Sequence, residues 1–168
     1  MNEKQLKDFI KYAISRLDGA WFRILEKKYG IDIAYEIDVE VWEDFAMRAA
    51  RYLKKILALK DYDPNTYAET FKKANEEFRI FFDEEGEQEI IGNKLITRVT
   101  YCGQWEEIKK AGFADYAKAG KMCSDAHIST NRGIMKGLFP NKTFKFNLTK
   151  RIPAGDDCCE LEIEIEGE

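Results

Sequence analysis

The chain of 168 residues has a single histidine and no long apolar run. Because a membrane span needs about twenty consecutive apolar residues, no membrane partner is expected. The net charge of −4 argues against the concentrated basic face that nucleic acid requires, so no nucleic-acid partner is expected either. The first residues show no apolar segment typical of a signal peptide. We therefore expect a cytoplasmic protein whose four cysteines are reduced thiols.

The length predicts one domain, 1–168, that buries about 70% of its unfolded surface without covalent staples. Residues 1–85 form a mainly helical half, and residues 86–168 form a sheet half with inserted helices. Three helices are predicted, over about 6–29, 34–59 and from Asp63-Pro64 onward, because apolar residues recur at steps of three and four. The stripe of the first helix is Leu6, Ile10, Ala13, Leu17, Trp21 and Ile24, and that of the second is Ile37, Val41, Phe45, Ala49, Tyr52 and Ile56.

The second half alternates with a period of two, which is typical of strands. A hairpin is predicted over 87–102, with a loop at Gly92-Asn93, after an acidic segment interpreted as a solvated turn. Short helices are expected over 105–110 and 115–129, before two strands that place lysines opposite glutamates. The sequence thus predicts an α+β domain in which N-terminal helices pack on one face of a roughly four-stranded antiparallel sheet.

The one histidine, His127, follows Cys123 by four residues, a spacing that places both on one helix face. A thiol and an imidazole side by side can form a nucleophile–base pair or half of a metal site. Gly120, one turn earlier, permits the close approach of another element. A buried cysteine that only fills space is the alternative.

The alternation along their strands places two more cysteines on a face where they could belong to a site. Cys159 alternates with buried positions and is predicted to point inward, whereas Cys158 is predicted to face solvent. Cys102 ends the hairpin on the same parity as Arg98. Together with Cys123 and His127, the inward thiols could bind zinc or iron, although the paired C-x-x-C spacing of strong zinc sites is absent. Arg98 is either an anchor for a ligand carboxylate or a surface ion-pair partner.

The segment Asp18-Gly19-Ala20-Trp21-Phe22 places a glycine inside a strong helix, at a cost of about 1 kcal/mol relative to alanine. Tight packing or the approach of a ligand explains such a glycine, and packing is favoured.

Several segments carry a resemblance to known families. Leu17-Asp18-Gly19-Ala20-Trp21-Phe22 and Val41-Trp42 resemble an uncharacterised bacterial and archaeal group allied to the L-2-amino-thiazoline-4-carboxylic acid hydrolase-like proteins. Val99-Thr100-Tyr101-Cys102 and Gly155-Asp156-Asp157-Cys158-Cys159-Glu160-Leu161 resemble both of these families. The last segment is also similar to small-molecule-binding domains of the 4-vinyl-reductase type. The likeness spans nearly the whole chain.

The resemblance implies a hydrolase that acts on C–N bonds and opens a small cyclic amidine, a thiazoline carboxylate. In that chemistry Cys123 is the nucleophile, His127 the general base and then acid, and Asp125 a further catalytic candidate. Arg98 would bind the carboxylate of the substrate. Asp18, with Trp21 nearby, would bind its amidinium, and Asp125 is the alternative partner of the amidinium.

Three other interpretations stay open beside the cysteine nucleophile. Cys102, Cys123, His127 and Cys159 could instead hold a metal ion that activates water. The domain could be a sensor-like module that binds a small molecule or a metal through its Cys/His cluster, or an interaction scaffold without a site. The aromatic helices also leave room for a homodimer interface.

Overall fold

The structure is a computed structural model that describes residues 1–91, 94–115 and 122–166. In these ranges the chain forms five α-helices and four β-strands, none of the helices being long and apolar enough to cross a membrane. In chain order the elements are α1 (Glu3–Tyr29), α2 (Ile31–Ile56), α3 (Tyr67–Phe82), β1 (Glu84–Ile91), β2 (Lys94–Cys102), α4 (Gly103–Lys110), α5 (Met122–Leu138), β3 (Phe144–Lys150), a 3₁₀ turn (Ile152–Ala154) and β4 (Cys159–Ile165).

The two long N-terminal helices begin and end at clear local signals. The Asn2 side chain accepts a hydrogen bond from the backbone N–H of Gln5, whose own side chain accepts one from the Asn2 N–H, so α1 starts with a reciprocal cap. The helix stops at Gly30, as predicted, where φ is +83° and only glycine is unstrained. Because α2 begins at the next residue, α1 and α2 form a helical hairpin.

Two local predictions are wrong. Pro64 lies in a turn closed by the Asp63 carbonyl, which accepts from the N–H of Tyr67 at 2.8 Å, so α3 starts later than predicted. The acidic segment from Glu84 is strand rather than solvated turn, since β1 pairs with β2 as far as Glu84 opposite Cys102. Asp83, in a left-handed conformation with φ of 56°, turns the chain from α3 straight into this strand.

The four strands form one antiparallel sheet in the order β1-β2-β4-β3. Leu161 and Ile163 of β4 are fully buried beneath the helices, whereas the glutamates between them lie on the open face. There Glu164 lies opposite Lys145 of β3, as the alternation predicted. The α+β class, with helices on one face of a four-stranded antiparallel sheet, is therefore confirmed.

Two predicted segments fall partly or wholly outside the described residues. The hairpin loop Gly92-Asn93 lies outside them, as does Gly120. The helix predicted over 115–129 is described from Met122, and it continues beyond the expected end to Leu138.

The apolar stripes that identify the first two helices in the sequence are largely exposed. On α1, Leu17 is 69% exposed and Ile24 is 56% exposed. On α2, Val41 and Tyr52 are likewise exposed, and the buried face is a different one, consisting of Ala34, Tyr35, Asp38, Trp42, Ala46 and Ala50. The predicted homodimer would find its apolar surface along these stripes, and it stays a prediction.

Small residues explain why α2 buries the other face. Ala46 and Ala50 pack against α5, where a Cβ built on Gly133 would lie 2.3 Å from the Glu43 carbonyl oxygen. At Gly137 the same construction gives 2.4 Å to another α2 carbonyl oxygen. The backbones of α2 and α5 therefore approach each other as closely as glycine allows.

Candidate functional site

A cavity of about 760 Å³ lies between the helices and one end of the sheet. Its wall is built from α1, α2, the end of α3, the start of β1, the end of β2, α4, α5, the 3₁₀ turn and the first residue of β4. This volume falls within the range of about 300–1,000 Å³ that is common for small-molecule sites. The cavity is therefore large enough for an organic ligand.

Three of the four thiols meet at this cavity. Cys102, Cys123 and Cys159 all line it, although they come from the end of β2, from α5 and from the start of β4. Cys102 faces the cavity because the chain leaves the sheet there to start α4. The backbone N–H of Trp105 in α4 donates to Cys102 Sγ at 3.4 Å. Cys159 Sγ accepts from the Ile152 N–H at 3.3 Å. These three thiols thus line one cavity.

Burial keeps these thiols protonated. It raises the pKa of Cys102 and of Cys159, and the nearby Glu84 carboxylate raises both further. Glu84 itself lines the cavity, and burial raises its pKa to about 7 against the lowering effect of Arg79. The thiols are consequently uncharged near neutral pH, whereas Glu84 is partly ionised there.

Cys123 and His127 lie one turn apart on α5, and both line the cavity as the spacing predicted. Burial raises the pKa of the Cys123 thiol to about 12. Burial, helped by the charge of Arg79, lowers the pKa of His127 to about 4. His127 Nε2 has no hydrogen-bond partner. The two groups are therefore a neutral thiol and a neutral imidazole, not the ion pair of an activated cysteine.

The predicted zinc or iron ligands do not form a cluster. No three His, Cys, Asp or Glu side chains in the described part of the chain are grouped closely enough to hold a metal ion. The proposed ligands Cys102, Cys123, His127 and Cys159 share the cavity wall without converging on one point. The fourth cysteine, Cys158, was predicted to face solvent but is only 5% exposed, because it lies in a bend before β4 and outside the alternation of the strand.

A pair of carboxyl groups forms a second chemical centre in the cavity, and sequence reasoning found only half of it. Asp18 of α1 and Asp38 of α2 both line the wall. The Trp21 indole N–H donates to Asp18 Oδ1 at 3.2 Å, and the Trp42 indole hydrogen-bonds both carboxyl groups. Burial raises the pKa of Asp18 despite these bonds. Burial, and then the charge of Asp18, raises the pKa of Asp38 to about 8.

Three buried polar atoms on the cavity-lining residues lack a hydrogen-bond partner. They are Asp38 Oδ1, His127 Nε2 and Asn131 Oδ1. The Asn131 amide is oriented by its Nδ2, which donates to the His127 carbonyl oxygen at 2.8 Å, so its Oδ1 is left as an acceptor. Most buried polar atoms in proteins are paired, so these three unpaired atoms are unusual features of the cavity lining.

The remaining predicted site residues lie elsewhere. Arg98 is on the open face of the sheet, where its Nε donates to Glu160 at 2.6 Å and its Nη1 donates to Glu89, so the ion-pair alternative is the one observed. Asp125 is exposed on α5 and does not line the cavity. Trp21 acts through Asp18, which it orients, and does not itself line the wall.

The fold and the cavity define a class: an α+β domain that encloses a ligand-sized cavity between its helices and a four-stranded antiparallel sheet. A sequence profile described as a family of unknown function (DUF6125) matches residues 2–129. The chain belongs to this family. None of the curated proteins matches it.

The fold recurs in a solved structure. It is similar to trafficking protein particle complex subunit 3 from Naegleria fowleri, solved covalently bound to palmitic acid. The TM-score is 0.62 at 10% sequence identity, covering 95% of this chain and 97% of that one. At this identity the likeness shows a shared fold.

Proposed function

We propose that the protein binds a small organic ligand in the cavity. The observation that carries the proposal is the set of unpaired atoms Asp38 Oδ1, His127 Nε2 and Asn131 Oδ1 on its lining residues. An unsatisfied buried polar group costs about 1–3 kcal/mol, so a ligand that pairs several of them gains affinity from their relief. The rest of the wall combines aromatic, aliphatic and thiol side chains with charged and polar ones, and its apolar part suits the body of such a molecule.

The similar structure supports this proposal. The Naegleria fowleri protein is described with palmitic acid covalently bound, so at least one protein of this fold carries an organic ligand. The resemblance to 4-vinyl-reductase-type domains points to the same small-molecule class. In this chain the three cavity thiols would contact the ligand as neutral groups.

A filled cavity is the direct test. Ala126 of α5 lines the cavity, whereas its neighbour Asp125 is exposed. Ala126→Phe should abolish the binding of compounds found by screening a fragment library with NMR, read at the indole N–H of Trp42. Asp125→Phe adds the same ring outside the cavity and should leave binding intact. If fragments shift the Trp42 signal equally in both variants, or in neither variant nor the parent protein, the proposal is wrong.

A hydrolase is the second candidate, and the carboxyl pair favours it. With a pKa of about 8, Asp38 holds a proton at neutral pH beside Asp18, an arrangement suited to a general acid. The reaction would be the opening of a cyclic amidine ring such as a thiazoline carboxylate. The protonated Cys123 and the unpartnered His127 give the cysteine mechanism less support, so we assign the acid role to Asp38.

The two mechanisms make opposite predictions for two conservative variants. Incubation with 2-amino-thiazoline-4-carboxylate, with the ring-opened product read by mass spectrometry, should show turnover that Asp38→Asn abolishes and Cys123→Ser retains. Loss of turnover in Cys123→Ser alone would restore the cysteine nucleophile. No turnover by the unaltered protein would leave ligand binding as the function of the cavity.

A further inference from the structure

The carboxyl end of the cavity has acceptors in excess. Asp38 Oδ1 and Asn131 Oδ1 are buried acceptors without partners, and Asp38 shares the cavity wall with Asp18. His127 Nε2, also unpartnered, belongs to an imidazole that accepts at one nitrogen in its neutral form. A cationic ligand that pairs these oxygens with N–H donors would also displace the Asp38 proton, because a positive charge nearby favours the carboxylate.

No positive side chain in the described residues balances these carboxyl groups. Burial dominates the raised pKa of both Asp18 and Asp38, the charge of Asp18 adds to it at Asp38, and only indole N–H groups act in the other direction. Glu84, which lines the same cavity, differs from these two acids because the positive charge of Arg79 lowers its pKa. Among the described residues, the paired acids therefore have no counter-ion.

The cations that do line the cavity have other partners. Lys11 bonds Asp83 at 2.7 Å, and Arg16 and Lys110 bond Glu107 at 3.0 Å and 2.8 Å. The Arg23 guanidinium donates to the Ala111 carbonyl oxygen at 3.3 Å and lies over an aromatic ring. All four are at least partly solvent-accessible, and none of them pairs with Asp18 or Asp38.

We propose that the ligand of this cavity carries a positively charged nitrogen group with at least two N–H donors, an ammonium or amidinium, which binds between Asp18 and Asp38 with Asn131 as a further acceptor. This inference rests on the proposed ligand-binding function and names the chemical class of the ligand. A planar amidinium presents two parallel N–H groups, which suits a carboxylate better than a single donor does. The indoles of Trp21 and Trp42 then orient the acids from the protein side.

Three compounds of the same shape and different charge test the proposal: benzamidine, benzamide and benzoate. Titrations of the full chain, followed by calorimetry and by the Trp42 indole N–H in NMR, should show benzamidine binding about ten- to a hundred-fold more tightly than benzamide, because hydrogen bonds to charged groups are the stronger ones. Benzoate should bind least.

Three variants locate the site. Asp38→Asn and Asp18→Asn should each reduce benzamidine affinity about ten-fold or more while leaving benzamide binding nearly unchanged. Asp8→Asn removes an exposed carboxylate of the same helix as Asp18 and should change neither affinity. A uniform loss of affinity for benzamidine and benzamide would indicate general damage to the cavity and overturn the charge assignment.

The outcomes separate this inference from the proposed function. If benzamide or benzoate binds at the Trp42 signal as tightly as benzamidine, the cavity takes ligands and the cationic class is wrong. If benzamidine binds equally well to Asp38→Asn, Asp18→Asn and the parent protein, its site is elsewhere and the inference is again wrong. If none of the three compounds binds at millimolar concentration while library fragments do, only the inference fails; if no fragment binds either, both proposals fail.

Discussion

Replacing the buried carboxyl group of Asp38 should stabilise the protein at high pH. The folded pKa of about 8 lies above the ordinary value of 3.8, so the unfolded chain releases this proton more readily than the folded one. The free energy of unfolding therefore falls as the pH rises from about 4 to about 8. Each tenfold change in proton affinity corresponds to about 1.4 kcal/mol, which sets an upper limit of about 6 kcal/mol.

Asp38→Asn removes this penalty while keeping the shape of the side chain. Relaxation of the site and water entry reduce the limit, and we expect the variant to gain about 2 kcal/mol or more over the parent at pH 8 and almost nothing at pH 4. Urea denaturation between pH 4 and pH 8.5 measures the difference. Subtracting the two profiles removes the contributions of Glu84, with its raised pKa, and of His127, whose lowered pKa makes stability fall as the pH falls through 6.5.

Two results would contradict this reasoning. If Asp38→Asn were less stable than the parent at pH 8, the carboxyl group would be ionised and stabilised in the folded protein. If the two pH profiles ran parallel, the pKa of Asp38 would be ordinary. Asp8→Asn, on the exposed part of α1, is the matched control and should leave the profile unchanged.

Four further measurements test the rest of the structure. Gly137→Ala should lower the free energy of unfolding by about 2 kcal/mol, because its Cβ would lie 2.4 Å from a backbone oxygen of α2. Gly19→Ala should raise the free energy of unfolding by up to about 1 kcal/mol, because its Cβ would have nothing within 4 Å and alanine favours the helix. Iodoacetamide should modify Cys123 slowly at pH 7 and quickly after unfolding; fast reaction in the folded state would refute the protonated thiol. Arg98→Ala should leave ligand binding unchanged and reduce stability only slightly, because a partly exposed ion pair contributes little. Loss of binding would restore the role of Arg98 as a carboxylate anchor. If the chain is the predicted homodimer, light scattering should show Leu17→Glu dissociating it, and a persistent dimer would exclude the α1 stripe.

The sheet could be predicted because its pattern has one physical cause. Along β4, residues that pack against helices alternate with glutamates that face water, and the period of two leaves no alternative. The helices could be predicted because apolar residues recur at steps of three and four. Which face of each helix is buried could not be predicted in this way. Large apolar residues such as Leu17 lie outward, and the buried face of α2 is marked by the small residues Ala46 and Ala50. Steric fit between backbones outweighed side-chain hydrophobicity there.

About half of the candidate site could be predicted from the sequence. The thiols were found because their parity and spacing are visible in the sequence, and the structure places three of them at one cavity. Asp38 was missed because a lone carboxylate in a charged helix is ordinarily solvated. Its signal was present nonetheless: it occupies the face formed by Ala34, Trp42 and Ala46, four residues apart in turn, where an acid has no water to face. Asn131 has no such signal, since only its contact with the His127 carbonyl shows which way its oxygen points.

The close contact between α2 and α5 at Gly133 and Gly137 fixes the distance between two helices that line the cavity. Asp38 projects from one of these helices and His127 from the other, so the spacing between these two side chains is set by two backbones that cannot move closer. Gly133 and Gly137 face α2 and do not line the cavity, and any methyl group added at either would push the two helices apart. The width of the cavity is therefore set partly by residues that do not line it.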